Sequence, residues 1–362
     1  MRILFLVPYP QEGASNRYRV EQYLPYLKRE GIRYSLRPFW SACAYRSLYK
    51  NGHYFRKLFF FMCGTTSRIF QIFGIAGYDL VFIHREAYPI GGAFFETIIS
   101  ILKKPIIFDF DDAIFLPASS RPNNFIERFK NPNKVASIIK RSKYVISGNS
   151  FLADFALRYN RSITVIPTPI DTDKYYPDNR SPGNKIVIGW IGSATTLDFL
   201  KSMREVFVRL SKEFSNIRFK IVGGDFSILG LSNIISKPWS LVEEIEDLKG
   251  FDIGIMPMPD NDWTSGKCGF KAILYMSMGI PCVCSAVGVN KEIILDGNNG
   301  FLANSEEEWI KKLSLLVRDA ELRKRLGDAG RKTAIDRYSL KANAPKYLDV
   351  LKKAYGKNSA KT

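Results

Sequence analysis

Short apolar runs, each followed by a polar turn and an amphipathic stretch, recur along almost the whole chain. In the first half the runs are 1–8, 78–84, 105–110, 143–147 and 163–166. In the second half they are 186–191, 218–222, 251–256 and the run after Pro281. Four to eight apolar residues bounded by turn signals read as buried strands, and the stretches between them carry a helical period. Alternation of this kind predicts α/β architecture with parallel sheets. Helices are expected around Arg17, Arg19 and Glu21, and over 151–159 with Ser150 as N-cap. Others are expected from Gly192 to about Phe214, around Glu243 to Glu246, and over the pattern Phe270, Ile273, Leu274 and Met278, which stops at Gly279 and Pro281. Ser305-Glu306-Glu307-Glu308 reads as a capping box opening a helix to Val317, with two more helical segments to about Tyr355 and a frayed end. Pro167 to Gly183 is Pro-rich and polar, as expected of a linker. The domains are therefore placed at 1–170 and 185–338, joined by a linker at 171–184, with a final segment at 339–362.

One region breaks the rhythm. Between residues 39 and 76, Phe39, Trp40, Tyr45, Tyr49, Tyr54, Phe55, Phe59, Phe60, Phe61, Phe70 and Phe73 are interleaved with Arg46, Lys50, Arg56, Lys57 and Arg68. No acidic residue occurs between Glu30 and Asp79. Basic groups beside a broad aromatic face suit contact with an anionic membrane surface, where Coulomb attraction and apolar burial add. The other reading is a core helix with solvated lysines. Arg68 and Glu96 interrupt the longest apolar runs, so no transmembrane segment is expected.

Composition fits two domains: 362 residues, 46% of them apolar. The five cysteines are scattered without Cys-x-x-Cys spacing and read as reduced structural thiols of a cytoplasmic protein. The first strand is too short an apolar run for a signal peptide, and no cleavage site follows it. A net charge of +18, concentrated before residue 180, points to nucleic acid, an anionic membrane or phosphorylated substrates. Nucleic acid ranks last, because no helix-turn-helix, zinc motif or RNA-recognition sequence is present.

Candidate chemistry gathers where strands meet loops. Gly13 lies in the loop after the first strand, where an open α/β sheet places ligands. His84, one of two histidines, ends a strand. Asp109, Asp111 and Asp112 close the next one. Three carboxylates there cannot all sit in an apolar core, and they could accept a proton, hold a metal or orient arginines. Gly192-Ser193-Ala194-Thr195 follows the first strand of the second half, and its hydroxyls could serve a phosphate or cap the helix. Between Met256 and Phe270 a polar loop joins strand to helix, so that Gly269 and Phe270 open the helix. Lys267, Lys271 and Tyr275 then form one row at spacing four. Backbone N–H groups, the helix dipole and one or two ammonium groups would together bind a polyphosphate. A solvated lysine pair is the plainer reading.

The run Gly266-Lys267-Cys268-Gly269-Phe270-Lys271 to Pro281, with 285–292 and Asp296-Gly297-Asn298-Asn299-Gly300-Phe301-Leu302, resembles the nucleotide-sugar signature of GT-B glycosyltransferases of the family-four type. The resemblance covers roughly the last half of the chain. It implies two Rossmann-like domains facing across a cleft, the N-terminal one on the acceptor side and the C-terminal one holding the nucleotide sugar. It also implies a last helix crossing back to the N-terminal domain. By the same resemblance Gly13, Arg17 and Arg19 approach donor phosphates or acceptor, His84 faces the donor sugar, and Trp239 walls the base. The two phosphate-gripping cations often found after the first strand of the second domain are absent here, so Lys267 or Lys271 is inferred to replace them. The family carries two glutamates eight positions apart, and Lys267 and Tyr275 stand at the matching positions. Asp109-Phe110-Asp111 also fits the short Asp-x-Asp metal pattern of GT-A enzymes. Given the second domain, Asp111 and Asp112 are read as acceptor-side acid/base or scaffolding groups.

The implied activity is transfer of a sugar, UDP-linked, to a hydroxyl of a glycolipid or growing polysaccharide of the cell envelope. The resemblance implies retention, no bound metal and no cofactor beyond the donor. The expected location is cytoplasmic, peripheral at the inner face of the membrane. The alternative is a non-catalytic GT-B protein that binds a nucleotide sugar or a glycan and regulates a partner.

Overall fold

The computed structural model describes residues 1–48, 52–116, 131, 133–177, 183–226 and 230–356. Expectations for Tyr49, Lys50, residues 178–182, the Thr195 hydroxyl and the chain beyond Gly356 fall outside that description. The chain divides into two compact units: Met1–Pro169 together with the chain from Asn343 onward, and Ile170–Ala342.

The first unit is built on a six-stranded parallel sheet. Its strands are β1 (Arg2–Val7), β2 (Arg33–Pro38), β3 (Leu80–His84), β4 (Ile106–Phe110), β5 (Tyr144–Ser147) and β6 (Ile163–Val165), in the order β2-β1-β3-β4-β5-β6. Every residue of β3 and β4 is buried, as expected of central strands covered on both faces. Full burial of each such Phe, Ile or Leu side chain contributes about 1.5–3 kcal/mol. Three helices matter below: α1 (Ala14–Arg19), α2 (Tyr54–Phe73) and α3 (Phe94–Ile101). The chain leaves β1 for β2 on one side and returns to β3 on the other. The switch point is thus at β1/β3, where a crevice opens outside the carboxyl ends.

The second unit repeats the plan with β7 (Ile186–Ile191), β8 (Ile217–Val222), β9 (Ile234–Lys237), β10 (Ile253–Met256), β11 (Cys282–Ser285) and β12 (Phe301–Ala303). Their order is β12-β11-β10-β7-β8-β9, with the switch point at β7/β10. Helix α4 (Phe270–Ser277) carries the chain from β10 to β11. Phe207, on the helix Arg204–Glu213, stacks on Phe219 of β8 with ring centroids 4.3 Å apart and anchors one layer. Tyr275 of α4 lies over Gly254 of β10, where an added methyl would come within 2.5 Å of the ring, so the close approach requires glycine. The last helix, α5 (Leu340–Gly356), returns to the first unit. There Tyr347 stacks on Tyr23 at 4.0 Å and lies 5.4 Å from Phe82.

Three expectations change. Asn149, not Ser150, caps the helix Ser150–Leu157, because its side chain accepts from Leu152 N at 2.9 Å. The segment 170–177 is fastened to the second unit: Arg331 donates to Thr172 O at 2.8 Å and to Tyr175 O at 2.6 Å. Tyr54–Gly77 is long and apolar enough to cross a membrane by length and composition, with a mean hydropathy of 1.4 despite Arg68.

Candidate functional site

Two clusters stand at the two switch points, one in each unit. In the first unit, His84 and Asp109 are register partners on adjacent strands. His84 Nδ1 lies 2.6 Å from Asp109 Oδ2, and His84 Nε2 lies 2.6 Å from Ser15 Oγ. Ser15, from α1, donates to Asp111 Oδ2 at 2.7 Å. Arg85 completes the set, donating to Asp111 Oδ1 at 2.7 Å and to Asp112 Oδ2 at 2.8 Å. Arg19 pairs with Asp109 from behind and donates to Ile166 O at 2.6 Å.

Burial alone would raise the carboxyls of Asp109 and Asp111. The facing cations outweigh it: Arg19 and then His84 hold Asp109 below the usual range, and Arg85 and then His84 hold Asp111 far below it. Both are therefore carboxylates that can only accept. Asp109 accepts from Nδ1–H of His84, and Ser15 bridges the other ring nitrogen and Asp111. Arg85 sits at φ 60, an uncommon value for a side-chain-bearing residue. Its two ion pairs and the bond from its N–H to Asp109 O at 2.7 Å hold it there.

This network has a signed pH signature. Asp109 and Asp111 titrate lower in the folded protein than in the unfolded chain, where an aspartate sits at about 3.9. Their contribution is present above about pH 4 and is lost as pH falls through their folded values. Glu96, raised by burial, works in the opposite direction. Denaturant midpoints measured from pH 5 to pH 2.5 should fall more steeply for the native protein than for Asp111→Asn. Parallel curves would mean that Asp111 is not depressed.

The structure thus brings His84, Asp111 and Asp112 together and adds Ser15, Asp109 and Arg85. It also corrects their roles. His84 is fully buried with both ring nitrogens engaged, so it positions Ser15 and does not face a sugar. Asp111 and Asp112 are both paired with Arg85, the scaffolding arrangement of the two readings. Arg19, expected at substrate, is 1% exposed and serves Asp109. Gly13 precedes α1 because a methyl there would come within 2.6 Å of Tyr9 Cβ. Arg17 is buried, with its guanidinium over the Tyr18 ring at 4.6 Å. Ser15, Arg85, Asp111 and Asp112 are the members that keep partial exposure.

In the second unit, Gly269 caps the start of α4 at φ 62, a left-handed conformation that suits glycine. The helix start has no side-chain cap and no acidic residue in its first turn. Lys267 Nζ lies 4.8 Å from the centroid of Trp263, and Lys271 Nζ lies 5.6 Å from that of Trp190. Both lysines are half-buried rather than out in solvent. Lys271 also crosses Gly192 at the end of β7, where a methyl would come within 2.9 Å of its Cε. Lys271 thereby joins the start of α4 to Gly192 at the β7/β10 switch point, while Lys267 and Gly269 lie in the loop that leads into the helix. Ser193 is exposed beside them and accepts from Thr196 N at 2.9 Å through its carbonyl. Trp239 lies past the end of β9, with its indole N–H on Glu244 Oε2 at 2.7 Å. A cavity of about 710 Å³ opens beyond β10, β11 and β12, lined by Asp198, Met258, Asp260, Ser285, Lys291 and Asn304 among others.

Tyr275 is the clear misplacement. It is fully buried, accepts from Ile191 N at 3.3 Å and donates to Ile255 O at 3.2 Å. Burial raises its hydroxyl far above the ordinary value. Direct pairing of β7 with β10 covers only Ile253 with Ile188 and Gly254 with Gly189, and the hydroxyl bridges the strands just past it. Tyr275 is a strut between the two strands. The Asp-x-Asp pair is likewise consumed by cations. Among the described residues no group of three His, Cys, Asp or Glu side chains is placed to hold a metal.

Residues 185–319 match the family model described as glycosyl transferases group 1. This part of the chain is thus similar to group 1 glycosyl transferases, and the fold is that of GT-B glycosyltransferase structures. The fold match extends over nearly all of the chain. A crystal structure of a glycosyltransferase from Rickettsia africae is 18% identical with a TM-score of 0.71, covering 98% of each chain. A sucrose-phosphate synthase from Thermosynechococcus elongatus is 14% identical with a TM-score of 0.72, covering 98% of this chain and 99% of that one. HepE of Anabaena, solved with UDP and glucose, is 14% identical with a TM-score of 0.69, covering 98% and 100%. No curated protein matches the chain by sequence. Gly192, Lys267, Gly269 and Lys271 all lie within the matched residues 185–319. Trp190 and Trp263, the aromatic seats of the two lysines, were not anticipated. Trp263, four residues before Lys267, left a signal in the sequence, whereas Trp190 on β7 reaches Lys271 only through the fold.

Proposed function

We propose that this protein transfers a sugar from a UDP-sugar to a hydroxyl of a glycolipid or polysaccharide, with retention and without a bound metal. The observation that carries the reading is the pair of half-buried ammonium groups, each seated on a tryptophan, about the start of α4, with Lys271 crossing Gly192. Fixed cations and a helix start aimed at a departing diphosphate stabilise charge that develops as the bond breaks. They do so without reorganising at the moment of reaction. HepE, of similar fold, was solved with UDP and glucose, which supports a uridine nucleotide as the donor's carrier.

A second reading has one observation in its favour. Tyr275 stands where the family has a donor-contacting glutamate, and it is sealed in the core. A protein that binds the nucleotide sugar without turnover would tolerate that replacement. A thermal-shift screen against UDP-, GDP- and dTDP-sugars, followed by an assay of transfer and hydrolysis, separates the readings. At a concentration 100 times Kd the true donor stabilises by about 2.7 kcal/mol. Stabilisation with turnover is expected. Stabilisation without turnover favours the binding protein, and no response to any nucleotide sugar overturns both.

A further inference from the structure

Helix α2 has two unlike faces. Its inner face is docked on the first unit. Gly64 meets Phe39 so closely that a methyl would lie 2.9 Å from the ring, and Phe61 packs against Trp40 and Tyr88. Arg68, 1% exposed, donates to Val7 O at 3.3 Å, Arg37 O at 3.1 Å and Gln71 Oε1 at 2.7 Å. The outer face carries Phe55, Leu58, Phe59, Met62, Ile69, Phe70 and Phe73, with Phe55 91% exposed and Phe73 80%. The spacing between them keeps to a helical period over about 30 Å of axis. An apolar stripe of this extent does not stay in water without a function.

We propose that the outer face of α2 lies in the headgroup layer of an anionic membrane, parallel to its plane. Three observations choose this occupant. The stripe is bordered by exposed Arg56, Lys57 follows it at the same end of the helix, and the chain has no acidic residue from 31 to 78, so the surface complements anionic lipid. A second copy of the chain would bring the same cations against each other on a protein of net charge +18. A spanning orientation, open to α2 by length and composition, would strip Arg68 from its three backbone and side-chain acceptors and bury a guanidinium in hydrocarbon. Helix α3 adds exposed Phe94, Ile101 and Leu102, and it adjoins α2 through Tyr88, which contacts both Phe61 and Phe95. Such seating would present the first unit to a lipid-borne acceptor. That last step rests on the sugar-transfer reading, whereas the docking does not.

The test is co-sedimentation of the full chain with vesicles of phosphatidylcholine containing 30% phosphatidylglycerol, without nucleotide sugar. The native protein should bind, and Phe55→Ser/Phe59→Ser/Phe70→Ser should weaken binding by about tenfold or more. Arg56→Glu/Lys57→Glu should lose the preference for anionic over pure phosphatidylcholine vesicles and most of the salt dependence. Calorimetric titration with UDP on the same variants should be unchanged, which separates failed docking from failed donor binding. Native protein that stays in the supernatant overturns the proposal. So does a triple variant that binds as well as native, or one that only dissolves a native dimer. Should the triple variant not fold, an environment-sensitive dye on exposed Cys63, in Cys43→Ser protein, decides instead. A blue shift on adding anionic vesicles supports docking, and an unchanged spectrum overturns it.

Discussion

Lys271→Ala lowers affinity for UDP by about 100-fold and leaves uridine binding nearly unchanged, since a hydrogen bond to a charged group is worth about 1.5–3 kcal/mol. The size of the expected effect comes from how Lys271 is held. Its stem crosses Gly192 and its ammonium group rests over Trp190, so little side-chain freedom is left to lose when a diphosphate arrives. Lys267→Ala, whose ammonium rests on Trp263, should act in the same direction. Calorimetric titration with UDP and uridine in parallel gives the answer. Equal losses for both would show that the lysine shapes the pocket generally and takes no part in binding phosphate.

Arg19→Met is the second large effect, and it falls on stability. Arg19 and Asp109 are both almost fully buried, and the guanidinium also supplies Ile166 O. Removing the cation while leaving the carboxylate costs about 3–5 kcal/mol, because the surviving charge is uncompensated in a low-dielectric interior. Denaturant unfolding at pH 7 should show that loss. The double change Arg19→Met/Asp109→Asn should recover part of it. A single variant as stable as the native protein would mean that water already reaches Asp109.

Both outcomes depend on features only partly visible beforehand. The sheets were legible because strands buried on both faces must be continuous apolar runs, and β3, β4, β7 and β10 are such runs. Lys271 was legible from its helical spacing to the loop. Tyr275 belongs to the same helical row and was misjudged for a reason of depth. One turn below Lys271, it passes beneath the carboxyl edge of the sheet, where Gly254 leaves room for its ring. Spacing reports which side of a helix a residue occupies, not how far down the neighbouring layer extends. Arg68 shows the converse. In the one-dimensional pattern it interrupts an apolar run, yet in the fold it turns inward onto carbonyls and leaves the outer stripe unbroken.

What this amino-acid sequence determined alone was the succession of buried strands and helices, the glycines at their junctions and the cationic, acid-free stretch around α2. All of these are written in the order of neighbouring residues along the chain. What tertiary structure decided was the joining of Ser15 to His84 and to Asp111, partners 69 and 96 residues away, and the sealing of His84, Arg19 and Tyr275 inside. Local propensity acts over a turn or a strand. Charge pairing in a buried network depends on which strand ends the sheet order brings side by side.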